Sequence, residues 1–196
     1  EYMDKNVYWL RKFYRVFNCS LMDGVPAKEK PLIDINDRNE RAEAILSYWD
    51  QNESKIVYGG SQAYYKASND EVHLPKRADF KSMQEFYSTA LHEIGHSTGH
   101  ETRLNRDLSG GFGSEKYAME ELRAEIASIF MEQDVGIEAS EGRLQNNAAY
   151  LQSWKEEIKE NPNALFTAIT DADKIAKYVS GKEQEYRQTK DIQFYA

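Results

Sequence analysis

The strongest constraint on the fold comes from an amphipathic stretch that contains three of the chain's four histidines. In FKSMQEFYSTALHEIGHSTGH (80–100) the apolar residues recur with the period of an α-helix, and the pattern stops near Gly99. His92 and His96 are four residues apart, so on a helix both imidazoles lie on one face and can converge on one cation. The stretch therefore predicts a helix that carries a metal site.

Glu93 completes an HExxH motif with these two histidines. It is offset by about 100° from His92 around the helix, which places its carboxylate beside a bound metal rather than on it. That position suits a base that takes a proton from metal-bound water. The alternative interpretation is a surface helix with two solvated histidines, and the helical context after a strand hairpin favours the metal site.

His100, the next histidine along the chain, is a poor third ligand. About 12 Å of helix rise separates it from His92, which is too far for both to reach one tetrahedral ion. The longer pattern HExxHxxGxxH also fails, because Thr102 occupies its last position. We therefore expect His100 to be a helix-end residue that hydrogen-bonds to the backbone or to an acid.

Two glutamates downstream are better candidates for the third ligand. Glu121 and Glu125 in MEELRAEIASIF (119–130) are four residues apart and share one helical face. One carboxylate of such a pair can bind the ion while the other orients a ligand histidine. A Gly-rich loop over 105–117 allows the chain to return, and Glu121 is the favoured ligand. Glu120 points about 100° away from Glu121 and is expected to face solvent.

The predicted elements are strands first and helices afterwards, which indicates an α+β fold. A helix is expected to begin at Asn36 or Asp37, and a small antiparallel sheet follows it and ends in a hairpin that turns at Asn69 and Asp70. Its strands are KIVYGG (55–60), AYYKAS (63–68) and EVHLP (71–75). A helical bundle is predicted beyond the motif helix, with helices from Ser114, over 138–159 and over 162–180.

Composition excludes several classes of protein. The net charge is −8 and the basic residues are interspersed with acidic ones, which argues against a nucleic-acid surface. The exception is WLRKFYRVF (9–17), which a basic edge strand explains equally well. The apolar runs are too short for a membrane span, and the first residues lack the apolar core of a signal peptide. Cys19 is the only cysteine, which excludes a disulfide framework and favours a reducing cytoplasm.

The motif region also resembles a known family. LHEIGHSTGHETRLNRDLSGGFGSEKYAMEELRAEIASIF is closely similar to the zincin-like metallopeptidase domain of the antirestriction protein ArdC family, which plasmids, conjugative transposons and phages carry. The similarity continues into AAYLQSWKEEIKENPNALFTAITDADKIAKYV (148–179) and upstream into AYYKASNDEVHLP and FYRVFN. The stretches RLNRDL, FGSEKYA and YLQSW make the match specific, because they are not general features of zincins.

The resemblance implies roles for individual residues. It maps His92, His96 and Glu121 onto the metal ligands and Glu93 onto the catalytic glutamate, with one Zn²⁺ ion or another divalent metal as cofactor. More distantly, the ExxAExxA segment that begins at Glu121 looks like the ligand helix of ImmA/IrrE-type metallopeptidases, with Ser128 in place of the usual alanine. This likeness supports Glu121 as the ligand.

The resemblance also implies a domain organisation. Family members carry an N-terminal domain that binds single-stranded DNA, and this chain is expected to retain only its last strand, as a remnant over 1–22. A linker over 23–35, the zincin-like domain over 36–182 and a solvated tail over 183–196 are expected to follow. Single-stranded DNA is therefore expected as a partner of the mostly absent domain, and the protein is expected in the bacterial cytoplasm.

The implied activity is hydrolysis of a peptide bond in a protein or peptide, by metal-activated water with Glu93 as general base. An oxyanion donor is also needed, and the unranked candidates are Tyr64, Tyr65, Tyr117 and Tyr150. The alternative is an antirestriction protein without proteolytic activity that protects single-stranded DNA and uses its metal structurally. Two histidines and one glutamate leave an open ligand position, which favours chemistry.

Overall fold

The computed structural model describes residues 35–111, 113–137 and 162–194, with side chains over 40–111, 113–137 and 163–190. The described residues form an α+β fold of a three-stranded sheet and four helices, which confirms the predicted class. Several predictions lie outside the described residues: the remnant strand, most of the linker, Cys19, the helix over 138–159 and Tyr150.

All three described strands lie between the first and second helices in the sequence. In order they are α1 (Ile35–Asn52), β1 (Lys55–Tyr58), β2 (Tyr64–Lys66), β3 (Glu71–Leu74), a 3₁₀ turn (Arg77–Asp79), α2 (Met83–Ser97), α3 (Glu115–Val135) and α4 (Pro162–Phe194). The first helix begins within two residues of the predicted position, which is the ordinary uncertainty of a helix end.

The sheet is mixed. β2 and β3 form the predicted antiparallel hairpin, with Tyr64 opposite His73. Its turn contains Asp70 in the left-handed region, with φ of 51°, a conformation that Asp tolerates better than most residues. β1 differs from the expected antiparallel pairing, because it runs parallel to β3 and gives the strand order β1-β3-β2. The alternation within a short strand does not determine its partner, which depends on the path of the connection.

Local sequence determines where α2 and α3 begin and end. The Ser82 hydroxyl accepts a hydrogen bond from the backbone N–H of Glu85 at 3.1 Å, and the Ser114 hydroxyl accepts one from Tyr117 at 3.2 Å. Both serines are thus N-caps, and the predicted start of a helix at Ser114 is confirmed. α3 ends at Gly136, whose φ of 77° closes the helix in the left-handed conformation.

The core lies between α2 and the elements around it. Phe86, Leu91 and Ile94 on α2 are fully buried together with residues of α1, α3, α4 and the inner face of the sheet. Trp49 of α1 is also fully buried, and its indole N–H donates a hydrogen bond to Ser97 Oγ at 2.8 Å. α2, the motif helix, is therefore held from several sides and provides a rigid base for the histidines.

α4 is longer than the sequence predicted, because it continues to Phe194. Glu183, expected to begin a solvated tail, is 1% exposed and accepts hydrogen bonds from Arg41 of α1 at 3.3 and 3.2 Å. The prediction is wrong for Glu183, since a paired carboxylate can be buried, whereas most side chains over 184–190 are exposed. None of the described helices, α4 included, is long and apolar enough to cross a membrane.

Candidate metal centre

α2 presents its two motif histidines on one face, as their spacing predicts. Nε2 of His92 and Nε2 of His96 lie 3.1 Å apart, and the two rings are inclined at 84°. Both side chains are largely buried. Two nitrogens that each lie about 2.0–2.1 Å from one zinc ion can have this separation.

α3 brings a carboxylate to the two histidines. Glu121 Oε2 lies 3.6 Å from His92 Nε2, and Glu121 Oε1 lies 3.4 Å from His96 Nε2. α2 and α3 approach closely where Gly95 faces Ala124. A Cβ added to Gly95 would lie only 3.6 Å from the Ala124 Cα, so only small side chains fit between the helices there. One ligand atom from each of the three predicted metal-binding residues lies within 4.8 Å of the others. The structure therefore assembles the predicted set in one place.

The electrostatics of this cluster favour a bound cation. Burial by itself would lower the pKa of His92, but hydrogen bonds to Glu121 and Glu125 raise that pKa to about 10. Burial likewise opposes ionisation of Glu121, yet hydrogen bonds from His92 and His96 hold its pKa well below the usual range. Carboxylates that stabilise an imidazolium also stabilise a divalent cation. Two imidazoles and a carboxylate are a donor set that zinc accepts.

Glu93 lies beside the cluster, as its position in the motif predicts. Its residue surface is 7% exposed, and it lines the same cleft as the histidines. Burial raises the pKa of Glu93, and the charges of His92 and His96 offset only part of this effect. The backbone N–H of Tyr65 in β2 donates a hydrogen bond to it. The arrangement can hold a carboxylate ready to accept a proton next to a cation.

Glu125 occupies the position expected of an orienting carboxylate. Its Oε2 lies 3.1 Å from Nδ1 of His92, the ring nitrogen that points away from His96 and Glu121. A histidine that donates its Nδ1–H to a carboxylate keeps the lone pair of Nε2 for a metal. The predicted division between Glu121 and Glu125 is thus compatible with the geometry.

The prediction that Glu120 faces solvent is wrong. Glu120 is 6% exposed, and its Oε1 lies 3.4 Å from Nδ1 of His96. Burial opposes its ionisation, but hydrogen bonds from His96 and Arg106 lower its pKa below the ordinary value. Arg106 lies in the Gly-rich loop, and sequence reasoning did not assign it a role. The signal available in the sequence was an arginine in that loop together with Glu120, a second glutamate next to the predicted ligand Glu121.

His100 lies outside the cluster and belongs to a group that connects the hairpin turn to α2. The backbone N–H of Thr102 donates a hydrogen bond to Nδ1 of His100 at 3.3 Å, so the predicted hydrogen bond between His100 and the backbone is confirmed. Nearby Arg103, with 1% of its side chain exposed, donates to Asp70 Oδ2 at 3.0 Å and to the Ser97 carbonyl at 2.7 Å. This ion pair fixes β2 and β3 against the end of the motif helix.

The structure separates the tyrosine candidates. Tyr64 is exposed, and its ring stacks on His73 with the ring centroids 4.5 Å apart. The Tyr65 hydroxyl donates a hydrogen bond to Asp70 Oδ1 at 2.8 Å, so it is engaged in the hairpin turn. These contacts do not bring the hydroxyl of Tyr64 or Tyr65 to the His92, His96 and Glu121 cluster.

Tyr117 lies beside Glu121, to which its side chain hydrogen-bonds. It is in the first turn of α3, one helical turn before Glu121, and it lines the cleft. Burial and the adjacent Glu121 carboxylate raise the pKa of Tyr117 to about 12, so its hydroxyl stays protonated at neutral pH. A protonated phenol can donate a hydrogen bond to an oxygen atom in the cleft.

A cleft of about 320 Å³ opens in front of the cluster. Its walls come from four parts of the fold: β2 and its flanks, the motif face of α2, the loop over 107–110 and the first turns of α3. β2 is an edge strand of the described sheet, because β3 lies between it and β1. An extended segment of another chain can therefore reach both β2 and the cluster.

Comparison with known proteins agrees with this geometry. A family model described as a zincin-like metallopeptidase matches residues 40–171. The crystal structure of the antirestriction protein ArdC from the R388 plasmid, with Mn(II) bound, is 31% identical with a TM-score of 0.66, over 87% of this chain and 62% of that one. The metal-free structure of the same protein is 32% identical in sequence and has a TM-score of 0.60; the match covers 74% of this chain and 50% of that one.

Curated relatives are much longer than this chain. The DNA primase TraC of Escherichia coli is 42% identical over 182 residues, which are 92% of this chain and 16% of TraC. The uncharacterized protein y4eC of Sinorhizobium fredii is 39% identical over 172 residues, which are 88% of this chain and 54% of that protein. The chain thus corresponds to one region of each relative. Since the family model covers most of the chain, including both the motif helix and α3, the chain belongs to the zincin-like metallopeptidase family.

Proposed function

We propose that the chain is a metal-dependent peptidase domain in which His92, His96 and Glu121 hold one divalent cation. The observation that carries the proposal is the convergence of these three side chains within 4.8 Å. Zinc is the preferred ion, because two imidazoles and one carboxylate with an open position are its usual catalytic ligands. The Mn(II) of the ArdC structure makes manganese a second candidate.

A cation bound there supplies Lewis-acid chemistry, which polarises a carbonyl oxygen and makes water more acidic. Glu93 accepts the proton of the attacking water and passes it to the leaving amine. Burial supports this role, because it raises the pKa of Glu93 and makes the carboxylate a stronger base near neutral pH. Tyr117 donates a hydrogen bond to the oxyanion, as its place in the cleft and its protonated hydroxyl favour.

The substrate is an extended segment of a peptide or protein that pairs with the edge strand β2. Tyr65 of this strand already contacts Glu93 through its backbone N–H, so a chain beside β2 passes close to the base. Pairing through the backbone gives affinity with limited dependence on side chains. The identity of the substrate is then decided by the walls of the cleft.

The test is hydrolysis of a mixture of quenched fluorescent peptides by the full chain, after chelation and after reloading with Zn²⁺ or Mn²⁺. Glu93→Gln keeps the shape of the side chain but cannot take a proton, so it should retain the metal and lose hydrolysis. If wild type and Glu93→Gln both retain the metal and cleave at equal rates, Glu93 is not the general base. Failure of the wild-type chain to retain either metal at neutral pH would refute the metal site.

A second candidate function is antirestriction without proteolysis, in which the metal serves only structure. The similarity to the antirestriction protein ArdC supports it. Such a protein would act in the bacterial cytoplasm, where incoming DNA meets host restriction enzymes, and residues upstream of the metal domain would contact single-stranded DNA. Entry of an unmodified plasmid into a restricting host separates the candidates. Protection by Glu93→Gln equal to wild type favours the second function, and loss of protection favours the peptidase.

A further inference from the structure

The surroundings of His96 contain a buried ion pair with no part in the proposed chemistry. His96 Nδ1 lies 3.4 Å from Oε1 of Glu120, and Glu120 is almost fully buried. A buried carboxylate is costly unless a positive partner and hydrogen bonds compensate for the lost water. The partner is Arg106, from the loop that follows α2.

Arg106 holds Glu120 with two donors. Its Nη2 lies 2.6 Å from Oε1 of Glu120, and its Nε lies 3.1 Å from Oε2. A two-pronged contact of this kind restricts rotation of the carboxylate. Arg123 is also near, but its Nη1 lies 3.8 Å from Oε2, and its Nε donates to Asp171 at 3.0 Å. Arg106 therefore determines the orientation of Glu120.

Arg106 also holds the end of α2. Its Nη1 donates to Thr98 Oγ1 at 2.7 Å, and its Nη2 donates to the carbonyl of Gly95 at 2.8 Å. Gly95 is in the last turn of α2, where carbonyls lack partners within the helix. One guanidinium thus connects the helix that carries His96 with the helix that carries Glu120.

We propose that Arg106 is a positioning residue of the metal centre that acts through Glu120 on His96; the inference rests on the proposed metal site. Glu120 accepts the Nδ1–H of His96, which keeps the Nε2 lone pair directed toward His92 and Glu121. Arg106 keeps Glu120 from turning away and balances its charge. Lysine cannot replace it, because an ammonium lacks the planar fork that reaches both carboxylate oxygens and the helix end.

The test measures metal binding rather than hydrolysis. The full chain, Arg106→Gln, Glu120→Gln and the double variant are compared for Zn²⁺ affinity by competition with a chromophoric chelator. Their absorption spectra are recorded after loading with Co²⁺. Each single variant should bind Zn²⁺ about 10- to 100-fold more weakly, the range for losing a partner that orients a ligand histidine. The Co²⁺ spectrum should change with it. Since the two residues act as a unit, the double variant should bind as weakly as Glu120→Gln alone.

Arg103→Gln is the matched control. Arg103 is also a buried arginine paired with a carboxylate, and it also donates to a carbonyl at the end of α2, but it contacts neither histidine of the cluster. This variant should unfold at a lower urea concentration while its Zn²⁺ affinity and Co²⁺ spectrum stay those of wild type. If Arg106→Gln fails to fold, the proposal is tested with Arg106→Lys instead. This variant keeps the positive charge and should still weaken Zn²⁺ binding, because it lacks the planar guanidinium.

Unchanged Zn²⁺ affinity in a folded Arg106 variant would overturn the proposal. So would losses that add in the double variant, because additive losses mean independent action. A wild-type chain that retains no metal refutes the proposed function instead, before any variant is compared. The two failures are therefore distinguishable.

Discussion

Replacement of Glu121 by alanine should weaken metal binding more than replacement of any other carboxylate on α3. Both oxygens of Glu121 face the Nε2 atoms of His92 and His96, at 3.6 and 3.4 Å. The substitution removes one of the three proposed ligands, and the loss of affinity should exceed about 100-fold, the upper limit for residues that orient a ligand. In free energy of binding this is more than about 2.8 kcal/mol.

Glu125→Ala gives the comparison on the same helix face. Glu125 Oε2 lies 3.1 Å from Nδ1 of His92, on the side of the ring away from His96 and Glu121. Its loss should release the ring from its orientation and weaken binding by about 10- to 100-fold, or about 1.4–2.8 kcal/mol. Glu115→Ala is the charge control, because Glu115 is exposed in the first turn of α3 and outside the cleft. Its affinity should stay close to wild type, since exposed charges are screened.

The assay is competition for Zn²⁺ with a chromophoric chelator at neutral pH, with urea unfolding of each metal-free variant as a check on folding. The expected order of affinity is Glu115→Ala strongest, Glu125→Ala intermediate and Glu121→Ala weakest. Weaker binding by Glu125→Ala than by Glu121→Ala would place the ligand one helical turn later. That result would refute the assignment of the metal-facing carboxylate.

Two further predictions concern stability. Asp70→Asn keeps the left-handed turn but removes the charge that faces Arg103, so unfolding at pH 7 should need about 1.5–3 kcal/mol less in urea titrations. Burial opposes ionisation of Asp70, but hydrogen bonds from Arg103 and Tyr65 lower its pKa in the folded protein. The ion pair therefore stabilises the fold fully above the pKa of about 3.9 of an unfolded Asp, and this stabilisation is lost as the pH falls through the lower pKa of the folded state. The difference between the two proteins should therefore shrink below about pH 4, and a constant difference contradicts this account. Gly110→Ala should cost about 1–3 kcal/mol, because its Cβ would lie 2.5 Å from the backbone nitrogen of Tyr117. A Cβ at Gly111 would have no described atom within 4 Å, so Gly111→Ala should not destabilise the fold in this way. Equal unfolding midpoints for the two alanine variants would show that the loop adjusts freely.

Much of the site could be predicted from the sequence because its determinants are local. The spacing of His92 and His96 places both on one face of any helix, and the same periodicity puts Glu121 and Glu125 together. The caps at Ser82 and Ser114 depend only on a few neighbouring residues. These features hold whatever the rest of the chain does, and the structure places the two histidines beside Glu121.

Other features depend on which segments meet, and periodicity does not contain that information. The helical position of Glu120 predicts a solvated side chain, and only the arrival of Arg106 from the preceding loop allows its burial. The parallel pairing of β1 with β3 depends on the route of the chain through β2. The burial of Glu183 depends on Arg41, 142 residues earlier. For the two glutamates, an arginine from another part of the chain takes the place of the water that the local pattern would predict.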